Sequence, residues 1–257
     1  MIDSRALVDS DAKLGSDVSV GPWSIIEAGV ELGDSTNIGP HVVIRGPTRI
    51  GRGTKIFPFC SIGDQPQDKK FDEDKESRLE IGAGNVIREY CSINRGTEHG
   101  GGTTRIGDDN WIMAYCHIAH DCLVGSHTVF ANNATLAGHV EIGDYVNLGG
   151  FTGVHQFCRI GAYSFTGIAT AIVKDVPPYM MVAGNTAHVR GLNREGLKRH
   201  AFSSETINNL RQAYKILYRQ KLTLDDALHC LDELAKDCDE VGKLADFIKT
   251  ASRGIVR

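Results

Sequence analysis

The sequence predicts a mainly β fold, a parallel β-helix built from six-residue repeats, followed by a small α-helical domain. Three observations favour this fold class. Aliphatic residues recur at every sixth position over most of the chain, glycine makes up 29 of the 257 residues against an average of about 7%, and the period becomes helical after Asn193. A period of six suits neither an α-helix nor a simple alternating strand. It suits a short strand plus a turn, three of which make one coil of a β-helix.

The first run of the repeat extends from residue 8 to residue 62. Every sixth residue in it is aliphatic: Val8, Leu14, Val20, Ile26, Leu32, Ile38, Ile44, Ile50, Ile56 and Ile62. A glycine often follows, as at Gly15 and Gly21, and glycine allows a sharp corner after the strand. We expect the aliphatic side chains to point inward and to stack from coil to coil.

Two segments, near residues 64–78 and 98–104, interrupt the period and are predicted to be loops. The first is charged and poor in aliphatic residues, and the second contains three consecutive glycines. After the second loop the series continues as Ile106, Ile112, Ile118, Val124, Phe130, Leu136, Ile142, Leu148, Val154, Ile160, Thr166 and Ile172. Only Thr166 is not a large apolar residue. The whole series predicts roughly eight coils, or about 40 Å of helix at about 4.8 Å per coil.

Five of the seven cysteines occupy one position of the repeat, four residues after an aliphatic residue: Cys60, Cys91, Cys116, Cys122 and Cys158. Other coils have valine or alanine at this position. We therefore expect buried thiols that act as small apolar side chains rather than as metal ligands or redox groups. The odd number of cysteines also favours reduced thiols.

The strand pattern is predicted to end at Pro177-Pro178, because proline cannot donate to a strand ladder. We expect residues 1–190 to form the β-helix and residues 191–257 to form the helical domain. Its first long helix is predicted from an apolar stripe, its second from a capping pair and its third from a pattern over residues 241–252. The stripe is Ile207, Leu210, Tyr214 and Leu217, and the capping pair is Thr223 and Asp226.

Composition and charge exclude several classes of function. The net charge is −4 and the pI is about 6.2, which argues against a general nucleic-acid-binding protein. No apolar run reaches the length of about 18 residues that a membrane span needs. The N-terminus lacks the basic and then apolar pattern of a signal peptide. We therefore expect a soluble cytoplasmic protein without a membrane span.

Residues 18 positions apart are expected to stack on neighbouring coils, and one such column carries candidate catalytic groups. His120, Gly138 and Gln156 form this column. His139 follows Gly138 and His155 precedes Gln156, so three histidines should lie along one edge within about 10 Å. A single histidine is more often structural, but this clustering favours a functional site. General-base catalysis and zinc binding by three imidazoles both fit the pattern.

Six-residue repeats with aliphatic–glycine pairs resemble those of the left-handed β-helix acyltransferases. Five motifs narrow the resemblance: Asn-Arg-Gly-Thr at 94–97, His-Ile-Ala-His-Asp-Cys at 117–122, Ala-Asn-Asn-Ala-Thr-Leu-Ala-Gly-His-Val at 131–140, Val-His-Gln-Phe-Cys at 154–158 and Lys-Asp-Val-Pro-Pro-Tyr at 174–179. With the tail Ser-Arg-Gly-Ile-Val-Arg at 252–257, their order is similar to that in the UDP-N-acetylglucosamine acyltransferase family of lipid A synthesis. The resemblance covers essentially the whole chain.

This resemblance implies left-handed coils and the transfer of a 3-hydroxyacyl chain from acyl carrier protein to the 3-hydroxyl of UDP-N-acetylglucosamine, the first step of lipid A synthesis. It also implies a homotrimer with active sites between subunits, and neither a cofactor nor a metal. His120 is the implied general base, Asp121 its orienting partner and the Gly138 N–H the donor to the oxyanion. Because the cysteines lie at inward positions, direct attack on the thioester is the expected route.

The same resemblance implies nine substrate-binding residues: Asp68, Lys70, His117, His139, His155, Gln156, Asn193, Glu195 and Arg199. Ile168 matches the family position that limits acyl-chain length, which predicts a chain nearer ten carbons than fourteen. His200 and Phe71 depart from the arginine and the tyrosine expected at their positions, which puts those two contacts in doubt.

Three other functions remain compatible with the sequence. The first is N-acyl transfer to a 3-amino analogue of the sugar by an enzyme of the same fold. The second is a zinc lyase on the same coils, as in a related β-helix family, and the third is a scaffold without catalysis, which would not need clustered histidines.

Overall fold

The computed structural model describes residues 1–257 and confirms the predicted fold class, a left-handed parallel β-helix followed by a small group of α-helices. Three sheets of parallel strands surround one core, and up to β26 consecutive strands along the chain lie in different sheets. No helix is both long enough and apolar enough to cross a bilayer.

Each sheet takes every third strand as far as β25, and β26 and β27 then both join sheet 3. Sheet 1 contains β1 Leu7–Val8, β4 Ile25–Ile26, β7 Val43–Ile44, β10 Ser61–Asp64, β13 Ser92–Asn94, β16 His117–Ile118, β19 Thr135–Leu136, β22 Gly153–Val154 and β25 Ala171–Ile172. Sheet 2 contains β2 Lys13–Leu14, β5 Val30–Leu32, β8 Thr48–Ile50, β11 Arg78–Ile81, β14 Thr103–Ile106, β17 Leu123–Val124, β20 Glu141–Ile142 and β23 Arg159–Ile160. Sheet 3 contains β3 Ser19–Val20, β6 Asn37–Ile38, β9 Lys55–Ile56, β12 Val86–Ile87, β15 Trp111–Ile112, β18 Val129–Phe130, β21 Asn147–Leu148, β24 Phe165–Thr166, β26 Met180–Ala183 and the antiparallel β27 His188–Leu192.

The register confirms that residues 18 positions apart stack on neighbouring coils. His117 pairs with Thr135, and Thr135 pairs with Gly153. The repeat positions from Val20 to Ile172 are all buried, so they form one continuous core. Burying an aliphatic side chain of this size stabilises a fold by about 1.5–3 kcal/mol. The stacked column is therefore the main source of stability.

Thr166, the polar residue in the series, is fully buried with its hydroxyl satisfied. Its Oγ1 lies 2.7 Å from the hydroxyl of Thr152 and accepts the N–H of Gly149 at 2.9 Å. A buried hydroxyl with both partners in place carries little penalty. This explains why the repeat tolerates threonine here.

The five repeat cysteines are buried and free, as their position in the repeat predicts. They pack inside the coils with the aliphatic residues of the core. Of the two cysteines in the helical part, Cys238 is buried and Cys230 is exposed.

Three corners separate the sheets and run along the molecule as edges. The first corner joins sheet 1 to sheet 2, the second joins sheet 2 to sheet 3, and the third joins sheet 3 to sheet 1. Each turn holds a residue in the left-handed region, as at Asp121 (φ 59°), Tyr145 (φ 59°) and Phe151 (φ 59°). The residue directly before this left-handed residue makes no ladder hydrogen bond through its N–H, so proline is tolerated at that position.

The expectation that Pro177-Pro178 ends the strand pattern is wrong. Pro178 occupies that same turn position, directly before Tyr179 with φ 69°. No ladder hydrogen bond is lost there, and the next strand, β26, pairs in parallel with β24 and antiparallel with β27. The expected boundary after residue 190 falls inside β27.

Four helices follow the last strand: α1 Arg194–Arg199, α2 Ser204–Tyr218, α3 Leu224–Ala235 and α4 Asp239–Lys249. The Thr223 hydroxyl accepts the N–H of Asp226 at 3.2 Å, which confirms the predicted cap of α3. The chain then returns to the β-helix. Asp175 donates its N–H to the Gly254 carbonyl at 2.9 Å, and Val256 donates its N–H to the Asp175 carbonyl at 2.8 Å.

Both interruptions of the repeat lie at the first corner. Loop 1 (residues 65–77) connects β10 to β11, and loop 2 (residues 95–102) connects β13 to β14. Loop 2 contains one turn of 3₁₀ helix, Glu98–Gly100. Since both loops replace turns between sheet 1 and sheet 2, they lie on the same edge as His120.

Candidate active site

The first corner of three consecutive coils carries the column of candidate catalytic residues. The ring of His120 lies directly against Gly138 on the next coil. A Cβ added to Gly138 would lie 2.5 Å from His120 Cε1 and 2.7 Å from Nε2. Glycine at 138 is therefore what lets the imidazole rest against the backbone of the neighbouring coil.

His120 and Asp121 form a hydrogen-bonded pair at this corner. Nδ1 of His120 lies 2.8 Å from Oδ2 of Asp121, and the two side chains are 14% and 1% exposed. An ionised carboxylate can only accept a hydrogen bond, so Nδ1 carries the proton. Nε2 then has a free lone pair and is able to take a proton from a substrate.

Thr97 of loop 2 completes the surroundings of the Asp121 carboxylate. Its N–H donates to Oδ1 at 2.9 Å, and its hydroxyl donates to Oδ2 at 2.6 Å. Gly100 covers the same group, since a Cβ at that position would overlap the carboxylate. Neither residue is connected with the site by the repeat pattern. The sequence does contain a polar Asn-Arg-Gly-Thr motif next to a run of glycines. The six-residue spacing does not extend through this loop, so it does not predict that the motif contacts Asp121.

These donors hold Asp121 in its ionised form. Burial alone would raise the pKa of its carboxyl, but the hydrogen bonds from His120 and Thr97 outweigh burial and keep the pKa below its ordinary value. A permanent negative charge next to Nδ1 stabilises the imidazolium that forms when Nε2 accepts a proton.

His139 contributes a second imidazole to the site. Its ring stacks on Phe157 at a centroid distance of 4.4 Å and meets the His120 ring edge-on at 5.1 Å. Burial lowers the pKa of His139 below its ordinary value of 6.5, although Asp121 acts in the opposite direction. A neutral His139 therefore lies beside the pair as a hydrogen-bonding group.

His117 lies on sheet 1, next to the first corner. Its Nδ1 is 2.7 Å from the hydroxyl of Ser92, its partner on the preceding coil. Burial lowers the pKa of His117 below its ordinary value. The ring is thus held in place as a neutral group by Ser92, a third residue that the repeat pattern does not connect with the site.

The backbone N–H of Gly138 donates to no acceptor within the chain. The N–H at this turn position, directly before the left-handed residue, needs no partner in the chain. Proline, which has no N–H, occupies the same turn position at residues 22, 40 and 58 of the third corner. A free N–H next to the ring of a candidate base can donate to an oxyanion that forms there.

Replacing Gly138 by alanine should lower kcat by about 100-fold, because the new methyl group displaces the His120 ring by the order of 1 Å. Its backbone angles remain accessible to alanine, so the fold should be retained. Gly153→Ala is the matched control, since a Cβ there meets nothing within 4 Å. Equal loss of kcat in both variants would contradict this explanation.

Loop 1 brings Asp68 toward the first corner. Its carboxylate accepts the N–H of Lys70 at 3.0 Å and lies 3.3 Å from Nε2 of His99 in loop 2. The Lys70 hydrogen bond lowers the pKa of Asp68, helped by the nearby His120 and His99. The Lys70 side chain is exposed. Phe71 packs its ring under the guanidinium of Arg95 at 5.4 Å.

His155 and Gln156 lie at the first corner one coil beyond Gly138, and both are exposed. Nδ1 of His155 is 2.8 Å from the guanidinium of Arg253 in the C-terminal tail. The structure thus places His120, Asp121, Gly138, His139, His155 and Gln156 along one edge, with His117 and Asp68 beside it.

The remaining predicted site residues lie on other edges of the same chain. Asn193, Glu195 and Arg199 line a cavity of about 390 Å³ at the second corner, together with Tyr145 and Tyr163. His200, which replaces the expected arginine, packs edge-on against these two tyrosines.

Ile168 lies at the third corner and is 74% exposed. One chain therefore presents its candidate catalytic, nucleotide and acyl-length residues on three different edges.

The cluster at the first corner does not provide three converging imidazoles. The potential metal ligands that lie within 4.8 Å of one another are His120, Asp121 and His139. The Asp121 oxygens already accept from His120 and Thr97. The three-histidine zinc geometry considered from the sequence is thus not formed.

Family models match both parts of the chain. A model described as bacterial transferase hexapeptide (six repeats) matches residues 11–46 and 103–138. A second model, described as Udp N-acetylglucosamine O-acyltransferase, Domain 2, matches residues 175–256.

The chain is also similar to named proteins over its full length. It is 58% identical over 256 residues to the acyl-acyl-carrier-protein–UDP-N-acetylglucosamine O-acyltransferase of Thiobacillus denitrificans, covering 100% of this chain and 99% of that protein. It is 56% identical over 256 residues to the protein of the same name in Alkalilimnicola ehrlichii, with the same coverage. The solved structure of the UDP-N-acetylglucosamine acyltransferase of Francisella novicida superposes with a TM-score of 0.98 at 40% identity, covering 100% of this chain and 94% of that one.

Proposed function

Because this chain belongs to the UDP-N-acetylglucosamine O-acyltransferase family, we propose that the His120 edge carries out the reaction for which the family is named. The protein is an acyltransferase that transfers an acyl chain from acyl carrier protein to UDP-N-acetylglucosamine, the first step of lipid A synthesis. The single observation that carries our assignment of the site is the Nε2 atom of His120, free to accept a proton and adjacent to the free N–H of Gly138.

In the proposed mechanism, His120 acts as a general base. A sugar hydroxyl is too weakly acidic to attack a thioester unaided, so Nε2 takes its proton while the oxygen bonds to the thioester carbon. Asp121 stabilises the resulting imidazolium through Nδ1. When the tetrahedral intermediate collapses, the carbon–sulfur bond breaks and the imidazolium returns its proton to the leaving thiolate.

The Gly138 N–H donates to the oxyanion of that intermediate. Its freedom from any acceptor in the chain means that no internal hydrogen bond must break first. A preorganised donor of this kind is worth about 2.7–4 kcal/mol of transition-state stabilisation. Cys122 and Cys158 are buried, which supports direct transfer without a covalent acyl-enzyme.

We propose oxygen at C3 of the sugar as the accepting atom and a 3-hydroxyacyl chain as the group transferred. The names of the relatives support O-acylation over transfer to an amino sugar. The potential metal ligands at the first corner are two imidazoles and a carboxylate that already accepts hydrogen bonds from His120 and Thr97. This set argues against the zinc lyase. The ordered contacts around Asp121 argue against a scaffold without catalysis.

We propose that the active site forms between subunits of a homotrimer. Asn193, Glu195 and Arg199, the residues assigned to the nucleotide, lie on a different edge from His120, and Ile168 lies on a third. A substrate bound at His120 reaches such residues only if a second copy presents them. In a trimer of three-edged rods, a cleft can be lined by the first corner of one chain and by sheet 3 of a neighbouring chain, the sheet that lies between the second and third corners.

Exposed apolar residues support this assembly. Trp23, His41, Phe59, Tyr90 and Tyr115 stack in a continuous ladder along the third corner, with ring centroids 4.9–5.0 Å apart. All five rings are exposed, as are Leu7 and Ile25 on the adjacent sheet 1. Contiguous apolar surface of this extent is typical of an interface between chains.

We place the reaction in the cytoplasm. All seven cysteines are unpaired, and Cys60, Cys91 and Cys116 follow one another at equivalent positions of successive coils. Neighbouring free thiols are typical of a reducing compartment.

The proposed function is tested by assaying the purified protein with UDP-N-acetylglucosamine and 3-hydroxyacyl carrier proteins of ten, twelve and fourteen carbons. We expect transfer, with the ten-carbon donor preferred over the fourteen-carbon one. No transfer from any donor would reject the proposal, and transfer only to the 3-amino sugar analogue would favour the alternative acceptor.

Ile168→Gly should raise kcat/KM for the fourteen-carbon donor relative to the ten-carbon donor by about tenfold or more, because it removes the branched side chain at the position to which we assign the limit on acyl-chain length. Ile168→Leu keeps the volume and should retain the original preference. An unchanged preference in Ile168→Gly would show that another residue limits the chain.

A further inference from the structure

The single 3₁₀ turn of loop 2 lies between two carboxylates. Thr97 caps this turn, since its hydroxyl oxygen accepts the N–H of Gly100 at 3.1 Å, and the same residue donates to the carboxylate of Asp121. Two positions further along the chain, the imidazole of His99 faces Asp68 of loop 1. One short turn therefore contacts both the carboxylate that orients the candidate base and a candidate substrate-binding carboxylate.

Both oxygens of the Asp68 carboxylate have a partner in the protein. Oδ1 accepts the N–H of Lys70 at 3.0 Å, and Oδ2 lies 3.3 Å from Nε2 of His99. An ionised carboxylate can only accept hydrogen bonds, so Nε2 of His99 carries a proton in this contact. The two partners fix the orientation of the carboxylate. Asp68 is only half-buried, so its remaining lone pairs can accept a hydrogen bond from a ligand.

The His99–Asp68 pair lies close to the catalytic edge. Burial is the main reason that the pKa of His139 is lowered, but the charges of His120 and His99 act in the same direction and that of Asp68 opposes them. Charges influence one another in this way only over short distances, because salt screens them beyond about 10 Å. Loop 1 and loop 2 thus hold an oriented carboxylate next to the two imidazoles of the site.

We propose that His99 is a positioning residue, which holds the Asp68 carboxylate in the orientation that accepts a hydrogen bond from a hydroxyl or amide N–H of a substrate. A side chain that is ordered before binding loses less conformational freedom when the substrate arrives, and this strengthens binding. His99 does not touch the reacting atoms in this proposal. Its effect is on substrate affinity and reaches the substrate through Asp68.

This inference rests on the proposed function for the identity of the bound group. Both substrates of the reaction carry suitable donors: the sugar has hydroxyl groups and an acetamido N–H, and the acyl donor has a hydroxyl on its acyl chain. The two sources share the same chemistry. Steady-state kinetics separates them because each substrate has its own KM.

The kinetic test compares His99→Ala with wild type. One KM should rise by about fivefold, the upper range for a contact between partly exposed charged groups. The value of kcat should change by less than about twofold, because Thr97 and Asp121 keep their contacts. His99→Gln keeps an N–H donor of similar reach and should restore most of the affinity. Glu98→Ala, which removes an exposed side chain from the same turn, is the matched control.

A rise in the KM for UDP-N-acetylglucosamine assigns Asp68 to the sugar nucleotide, and a rise in the KM for the acyl donor assigns it to the acyl chain. A double-mutant cycle then shows whether His99 acts through Asp68. In the Asp68→Asn background, His99→Ala should change the same KM by less than about twofold. An equal rise in both backgrounds, or no rise in the single variant, would overturn the proposal.

A second measurement does not depend on transfer. Calorimetric titration of each substrate alone into wild type and His99→Ala should show weaker binding of one substrate by about fivefold. If binding weakens in this way while no donor supports transfer, the proposed reaction fails and the role of His99 stands. Equal affinities of the two proteins for both substrates would reject that role.

Discussion

Replacing His120 by alanine is expected to lower kcat by about 10²–10⁴-fold, the range of general-base catalysis by a positioned side chain. The reason is geometric. The Asp121 carboxylate holds the ring through Nδ1, which leaves the lone pair of Nε2 free to accept a proton, and the ring lies against the Gly138 backbone. His139, although close, meets the His120 ring edge-on and lies 3.8 Å from the Asp121 carboxylate. It is thus not oriented to take over the proton.

The control for this variant is His229→Ala, which removes an exposed histidine from α3 and should leave kcat unchanged. KM values for both substrates should change little in His120→Ala, because the base acts mainly in the transition state. If kcat stays within about threefold of wild type, the catalytic assignment of His120 is wrong.

Asp121→Asn is expected to lower kcat by about 10³–10⁴-fold while leaving the fold intact. In comparable triads, an asparagine in place of the acid favours the wrong histidine tautomer. In the wild-type protein the N–H and the hydroxyl of Thr97 both donate to the Asp121 carboxylate, at 2.9 and 2.6 Å. The substitution puts an amide, which has one acceptor atom and one donor group, in front of these two donors. The amide must either turn an N–H₂ group toward Thr97 or turn it toward His120 Nδ1. The second orientation removes the lone pair from Nε2.

Asp109→Asn is a matched control, because Asp109 has the same left-handed turn conformation at the second corner, with φ 54°. Its carboxylate lies 3.9 Å from His127 and is exposed, so the change should leave kcat near the wild-type value. A similar loss of kcat in both variants would mean that aspartate is needed at these turns for folding and not for orienting a base.

The catalytic column could be predicted from the sequence because no insertion separates its members. From Ile106 to Ile172 every coil has the same length, so positions 120, 138 and 156 stack on one edge. The same regularity explains why the buried cysteines were correctly placed inside the coils.

The contacts that complete the site could not be predicted in this way. Thr97 lies in loop 2, which departs from the repeat, so spacing does not relate it to Asp121. Arg253 is 98 positions from His155 and meets it only because the tail folds back over the last coils. The end of the strand pattern was wrongly predicted at Pro178, because a proline that ends a strand and a proline at a turn position without a ladder hydrogen bond look alike in sequence.

The separation of the candidate site over three edges also required the structure. The six-residue period indicates which residues share an edge, but Asn193 and Arg199 lie beyond its end. Their cavity at the second corner forms where α1 packs beside Tyr145 and Tyr163. That placement connects the fold to the proposed trimer, since one chain cannot bring this cavity to its own His120.

The central claim is that the acyl chain passes directly from the donor to the sugar oxygen at the His120 edge. Rapid-quench mass spectrometry of a single turnover tests it most directly. We expect acyl sugar, esterified at the C3 oxygen, to appear at the rate at which acyl donor disappears, with no gain in the mass of the protein at any time. An acylated protein that forms before the product and decays as the product accumulates would contradict the mechanism.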